Sequence, residues 1–119
     1  MSFKIIEHQG KTIVHTDLSN KTKEEWYPIL LEASKLVQTY PKKSLYSLIN
    51  VTGFRYSKEY LNLMKERAKD NEPFIVATAV YGLTPLLQLF AKGVAQFSSR
   101  KSGFFDNEDD AKKWLSTLN

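Results

Sequence analysis

The sequence contains no cysteine. That excludes disulfides, a thiolate nucleophile and a zinc–thiolate cage, and makes a reducing, cytoplasmic location the expectation. No apolar run approaches the ~18–20 residues needed to cross a bilayer, so no membrane span is expected. The opening Met1-Ser2-Phe3-Lys4 lacks the basic, apolar and small-residue regions of a signal peptide. Walker A, G-x-G-x-x-G, H-E-x-x-H, EF-hand and G-x-S-x-G patterns are all missing. Glycine and proline are scarce, at 5 and 4 residues, and no repeat, low-complexity segment or linker divides the chain. Residues 1–119 are expected to form one domain.

What is present fits an ordinary globular fold, with 42% hydrophobic and 25% charged residues. The net charge is +4. An excess of that size favours acidic partners only when it is clustered. Tight basic pairs such as Lys42-Lys43 and Arg100-Lys101 do not sit in an aromatic-interleaved run, so nucleic-acid binding is not expected.

Two strand patterns, Phe3 to His8 and Lys11 to Asp17, flank Gln9-Gly10, which predicts a β-hairpin. Pairing about that turn sets Ile6 opposite Ile13 and Ile5 opposite Val14, so both faces of the ribbon carry apolar residues. His8 and His15 fall opposite Lys11 and Lys4. At ~3.4 Å per residue they lie too far apart to share a metal and read as ordinary strand histidines.

Thr22-Lys23-Glu24-Glu25 has the form of a capping box. Behind it Trp26, Ile29, Leu30, Ala33, Leu36, Val37 and Tyr40 recur at helical spacing up to Pro41. A third strand spans Ser44 to Val51. Its helix follows, with Tyr60, Leu61, Met64 and Ala68 expected inward and Lys65, Glu66, Arg67 and Lys69 largely outward. Phe74 to Tyr81 is the most continuously apolar segment and predicts a central strand buried on both faces. Thr84-Pro85 starts a third helix with Leu86, Leu87, Phe90, Val94 and Phe97 as its inner stripe. Ser98 to Gly103 leads out to a short strand at Phe104-Phe105. Asp106 or Asn107 then caps a last helix docked by Ala111, Trp114, Leu115 and Leu118. The element order is ββαβαβαβα, an α/β fold with a mixed, mostly parallel sheet.

Catalytic chemistry finds little to build on. Neither histidine adjoins a serine motif, and the carboxylate clusters Glu24/Glu25 and Asp106 to Asp110 open helices, where acids oppose the helix dipole. An enzyme is not expected, nor a cofactor, nor a bound metal. The candidate site is instead the rim at the carboxyl ends of the third and fourth strands: Asn50, Thr52, Arg55, Tyr56 and Ser57, with Tyr81, Gly82 and Thr84. Two helix N-termini and Arg55 there would suit an anion or phosphoryl group.

The segment at 45–61, a strand leading through T-G-F and Tyr-Ser into a helix, resembles the core of STAS domains. The chain as a whole resembles the bacterial SpoIIAA-like proteins. It has their N-terminal hairpin, a hydrophobic-T-G turn at Val51 to Phe54 and an A-V-Y-G strand end at Ala79 to Gly82. It also has F-S-S-R-K at Phe97 to Lys101 and a closing F-x-x-x-x-x-A-x-x-W-L at Phe105 to Leu115. The resemblance implies a SpoIIAA/STAS-like fold and a non-enzymatic binding or regulatory module that acts through contact with a protein partner. Anti-sigma antagonists carry a phosphorylatable serine in a D-S-S-G segment after the third strand. Here Arg55-Tyr56-Ser57-Lys58 stands in that region, and Ser57 alone matches as a phosphoacceptor. The alternative reading is a small carrier for an apolar, lipid-like or an anionic molecule, suggested by 7 Phe, 6 Tyr and 2 Trp and by the apolar third helix. Self-association into a homodimer is expected if a sheet face or the Phe90–Phe97 helix leaves an apolar patch exposed.

Overall fold

The computed structural model describes residues 2–55, 57–96 and 101–118. Strands β1 (Phe3–His8) and β2 (Lys11–Asp17) form the expected hairpin, in the expected register. Gln9 and Gly10 both take positive φ, at 52° and 79°, the backbone that matches the twist of a two-residue turn. Ile6 packs toward one side of the sheet and Ile5 toward the other, so the ribbon is apolar on both faces. Helix α1 (Lys23–Val37) opens on the Thr22/Glu25 capping box and ends at Val37, four residues before Pro41, with Gln38 as its C-cap.

Three βα units follow: β3 (Leu45–Asn50) with α2 (Lys58–Asn71), β4 (Ile75–Tyr81) with α3 (Pro85–Ala95), and β5 (Lys101–Phe105) with α4 (Glu108–Thr117). The five strands lie side by side in sequence order, β1-β2-β3-β4-β5, with β1 antiparallel and the rest parallel. Crossovers in one sheet share one hand, so a monotonic order puts every crossover helix on one face. Helices α1, α2 and α3 accordingly cover one face, around Leu18, Trp26, Leu30, Val51, Phe54, Leu87 and Phe90. Only α4 covers the other face among the described residues, seating Ala111 and Leu115 on Ile13, Leu48, Ala77 and Ala79. Strand β4 is buried on both faces, as its unbroken apolar run requires.

Two side-chain assignments differ from the sequence reading, Leu86 on α3, expected inward, and Arg67 on α2, expected largely outward. Leu86 is 60% exposed and Leu89 69%, because the buried stripe of α3 runs through Leu87, Phe90 and Val94 at helical spacing, and Leu86 stands a rotation of about 100° away from it. Phe97 lies outside the described residues. Arg67, expected outward, keeps a side chain only 19% exposed. It stands three residues after Met64 and four before Asn71, on the inner stripe of α2.

Candidate functional site

At the carboxyl rim, three loops lock together. The Leu18 amide donates to the Asn50 carbonyl at 2.9 Å and the Asn20 amide to the Thr52 carbonyl at 2.8 Å, laying the β2–α1 loop along the end of β3. The Asn50 side-chain oxygen accepts from the Thr52 amide at 3.0 Å and from its hydroxyl at 2.7 Å, which holds the turn into Gly53. Gly82, with φ of 85°, lies so close to Thr52 that any side chain would meet the Thr52 backbone. Ser57 caps α2 by accepting from the Tyr60 amide at 3.1 Å, and Thr84 caps α3 by accepting from the Leu87 amide at 3.2 Å. Asn50, Thr52, Ser57, Gly82 and Thr84 therefore each build the rim itself. Thr52, Arg55 and Thr84 are its exposed members, and Tyr56 lies outside the described residues.

Tyr81 ends β4 but turns to the opposite face of the sheet, under α4. Its hydroxyl donates to Glu108 Oε1 at 3.3 Å. The phenol has one proton, so the His15 Nε2 at 2.8 Å is the donor of the second bond, which places the His15 proton on Nε2. Lys112 Nζ closes the chain on Glu108 Oε2 at 2.6 Å. Burial, and then the Glu108 carboxylate, push the Tyr81 phenol well above the tyrosine range, so it stays neutral. The Lys112 ammonium holds Glu108 low against the opposing effect of burial. His15 is held below its ordinary value by burial, with Glu108 and Asp17 pulling it up and Lys112 and Lys4 pushing it down. Burial raises Asp17, but the Ser19 hydroxyl and amide and Lys21 together bring it below its ordinary value. The histidine that looked ordinary in sequence thus anchors a bridge between β2, β4 and α4. Nothing in its spacing announced this, because its partners lie 66 and 93 residues away.

The bridge makes a pH prediction. The unfolded chain binds a proton at the unshifted histidine value of 6.5, before the folded chain does. Stability contributed by neutral His15 is therefore complete above that pH and is lost as pH falls through the lower folded value. Asp17 and Glu108, both held low, extend the loss into the carboxylate range. Urea midpoints are expected to fall between pH 7.5 and 5.5, and His15→Gln, which can still donate to Tyr81 but does not titrate, is expected to flatten that window. Equal slopes in the two proteins would remove His15 as the cause.

The face under α1, α2 and α3 holds an apolar space. A chamber of about 140 Å³ lies between the sheet and the three helices. Its walls are chiefly apolar, with Leu30, Met64, Ile75, Leu87, Phe90 and Val94 prominent, and Thr16, Ser47, Thr78 and Ser102 set hydroxyls into the sheet floor. At one end α2 contributes Arg67 and Asn71. The lining of the chamber could not be read from spacing alone, because it draws on seven elements and the loops between them. Among the described residues no group of three or more histidine or carboxylate side chains is placed to hold a metal. None of their helices is long and apolar enough to cross a membrane.

An open α/β sheet with a leading hairpin, three helices on one face and a fourth on the other defines the SpoIIAA-like fold, the fold of STAS domains. Solved structures share it, two of them as follows. One is an anti-sigma-factor antagonist (STAS) domain protein from Planctomyces limnophilus, with a TM-score of 0.61 and 11% identity over 97% of this chain and 98% of that one. The other is an uncharacterised protein with a SpoIIAA-like fold from Shewanella loihica, with a TM-score of 0.63 and 19% identity over 95% of this chain and 91% of that one. No protein-family profile matches the sequence. A search of curated proteins returns no match.

Proposed function

We propose that this chain is a non-enzymatic STAS-like binding module and that what it binds is a small apolar molecule, held in the chamber beneath α1, α2 and α3. The observation that carries the reading is the chamber itself, about 140 Å³ within a close-packed fold. Protein interiors ordinarily leave few voids larger than a water. An engineered apolar cavity of roughly 150 Å³ stays dry and takes up benzene, so the space is sufficient for an aromatic or short aliphatic body. The alternative of contact with a protein partner would use the rim, where Thr52, Arg55 and Thr84 are exposed. Most other rim side chains are engaged in turn and cap bonds, which leaves the chamber as the better supported site.

The test is a titration with benzene, read by the methyl resonances of Leu30, Leu87 and Val94 and by the melting temperature. Saturable shifts at those methyls with a rise in melting temperature are expected. Ala91→Leu, which fills the chamber from α3, is expected to abolish the shifts while keeping the fold. Unmoved methyls up to the solubility limit of benzene would sink the reading.

A further inference from the structure

The chamber is not uniformly apolar, and its polar end is unfinished. Arg67 and Asn71 stand one turn apart on the same face of α2, and both line the chamber. Among the described residues Arg67 Nε, Asn71 Oδ1 and Ser34 Oγ are shielded from solvent without a hydrogen-bond partner, and of these three residues Arg67 and Asn71 line the chamber. Buried polar atoms are almost always paired, so two orphans in one wall of a void call for an explanation. The guanidinium charge is not what is left over. Arg67 Nη2 is held by Asp70 Oδ2 at 2.7 Å on the outer side of the helix. What remains inside is one N–H donor and one carbonyl acceptor.

We infer that the molecule held in the chamber is an apolar body ending in a hydroxyl, an alcohol or phenol, with that hydroxyl seated between Arg67 Nε and Asn71 Oδ1; the inference rests on the carrier reading above. A hydroxyl oxygen accepts from the Arg67 N–H while its proton goes to Asn71 Oδ1, so one group satisfies both atoms. A hydrocarbon satisfies neither and leaves two desolvated groups unmade. A carboxylate offers only acceptors. It would meet the Arg67 donor and set a negative oxygen against Asn71 Oδ1, and the neutralising charge of Arg67 is already engaged by Asp70.

Benzene, phenol and benzoate separate these cases on the intact protein, each titrated against the chamber methyl resonances. Phenol is expected to bind about tenfold more tightly than benzene, the gain of two ordinary hydrogen bonds over water. Asn71→Leu is expected to bring phenol down to benzene while leaving benzene unchanged. Equal affinities for phenol and benzene in the wild type would overturn the hydroxyl assignment, and would mean that water alone completes the two atoms. Tightest binding by benzoate would overturn it in favour of an anion. Failure of benzene and phenol alike would take down the carrier reading instead. The wild-type comparison decides without any variant, so an Asn71→Leu protein that does not fold leaves the test intact.

Discussion

Replacing Trp26 with alanine is expected to cost about 3–5 kcal/mol, a large fraction of the stability of an ordinary domain. Trp26 is buried in the first turn of α1 and makes ring contacts with two residues outside its helix. Its ring lies 5.3 Å from Phe54 in the rim loop and 5.2 Å edge-on from Tyr60 of α2, and Phe54 in turn stacks 5.8 Å from Phe90 of α3. Removing the indole therefore leaves a void among α1, α2, α3 and the loop after β3. Each lost aromatic pair adds roughly 0.5–1.5 kcal/mol to the transfer cost. Urea denaturation followed by circular dichroism measures the loss. A cost below about 1 kcal/mol would contradict the placement of Trp26 in the core.

Gly82→Ala is the second large effect, and its cause is different. The position has φ of 85°, which costs a side-chain-bearing residue roughly 1–3 kcal/mol by itself. A Cβ there would also stand 2.9 Å from the Thr52 amide nitrogen and 3.1 Å from its Cα. Those are backbone atoms, pinned by the Asn20 and Asn50 hydrogen bonds, and they cannot swing aside as a side chain could. A loss of about 3 kcal/mol or more is expected. Gly10→Ala is the control. It has a similar φ of 79° but nothing within 4 Å of the added carbon. Its cost is expected to stay near 1 kcal/mol, the backbone contribution alone. Equal costs at the two glycines would show that the loops at the rim are not interlocked.

Local signals in the sequence proved sufficient for most elements; β5 is the exception, because it begins at Lys101, inside the stretch expected as a turn, where pairing with Ala77, Thr78 and Ala79 of β4 makes the strand. The hairpin register follows from Gln9-Gly10 and the apolar alternation around it, and the starts of α1 and α3 follow from Thr22 with Glu25 and from Thr84 with Pro85. These features depend on residues a few positions apart, where backbone geometry leaves little choice. The rim was legible for the same reason, as a set of turn and cap residues. The chamber was less so. Arginine as a residue type predicts a surface charge at position 67, although the spacing Met64, Arg67, Asn71 places it on the inner stripe. Residue type outweighed period there, and the period was the better guide. The His15–Tyr81–Glu108 bridge could not be read at all, since it exists only once β2, β4 and α4 are assembled.

The unequal dressing of the sheet also bears on how the molecule comes off a ribosome. Three helices clothe one face as the strands are laid down in order, each new strand joining the one before it. The opposite face waits. Ile13, Leu48, Ala77 and Ala79 receive their cover from α4, which is made after all of these strands. A nascent chain halted before Glu108 would have most of its sheet in place and one apolar side bare. Such a chain is a natural client for chaperones that recognise exposed hydrophobic surface.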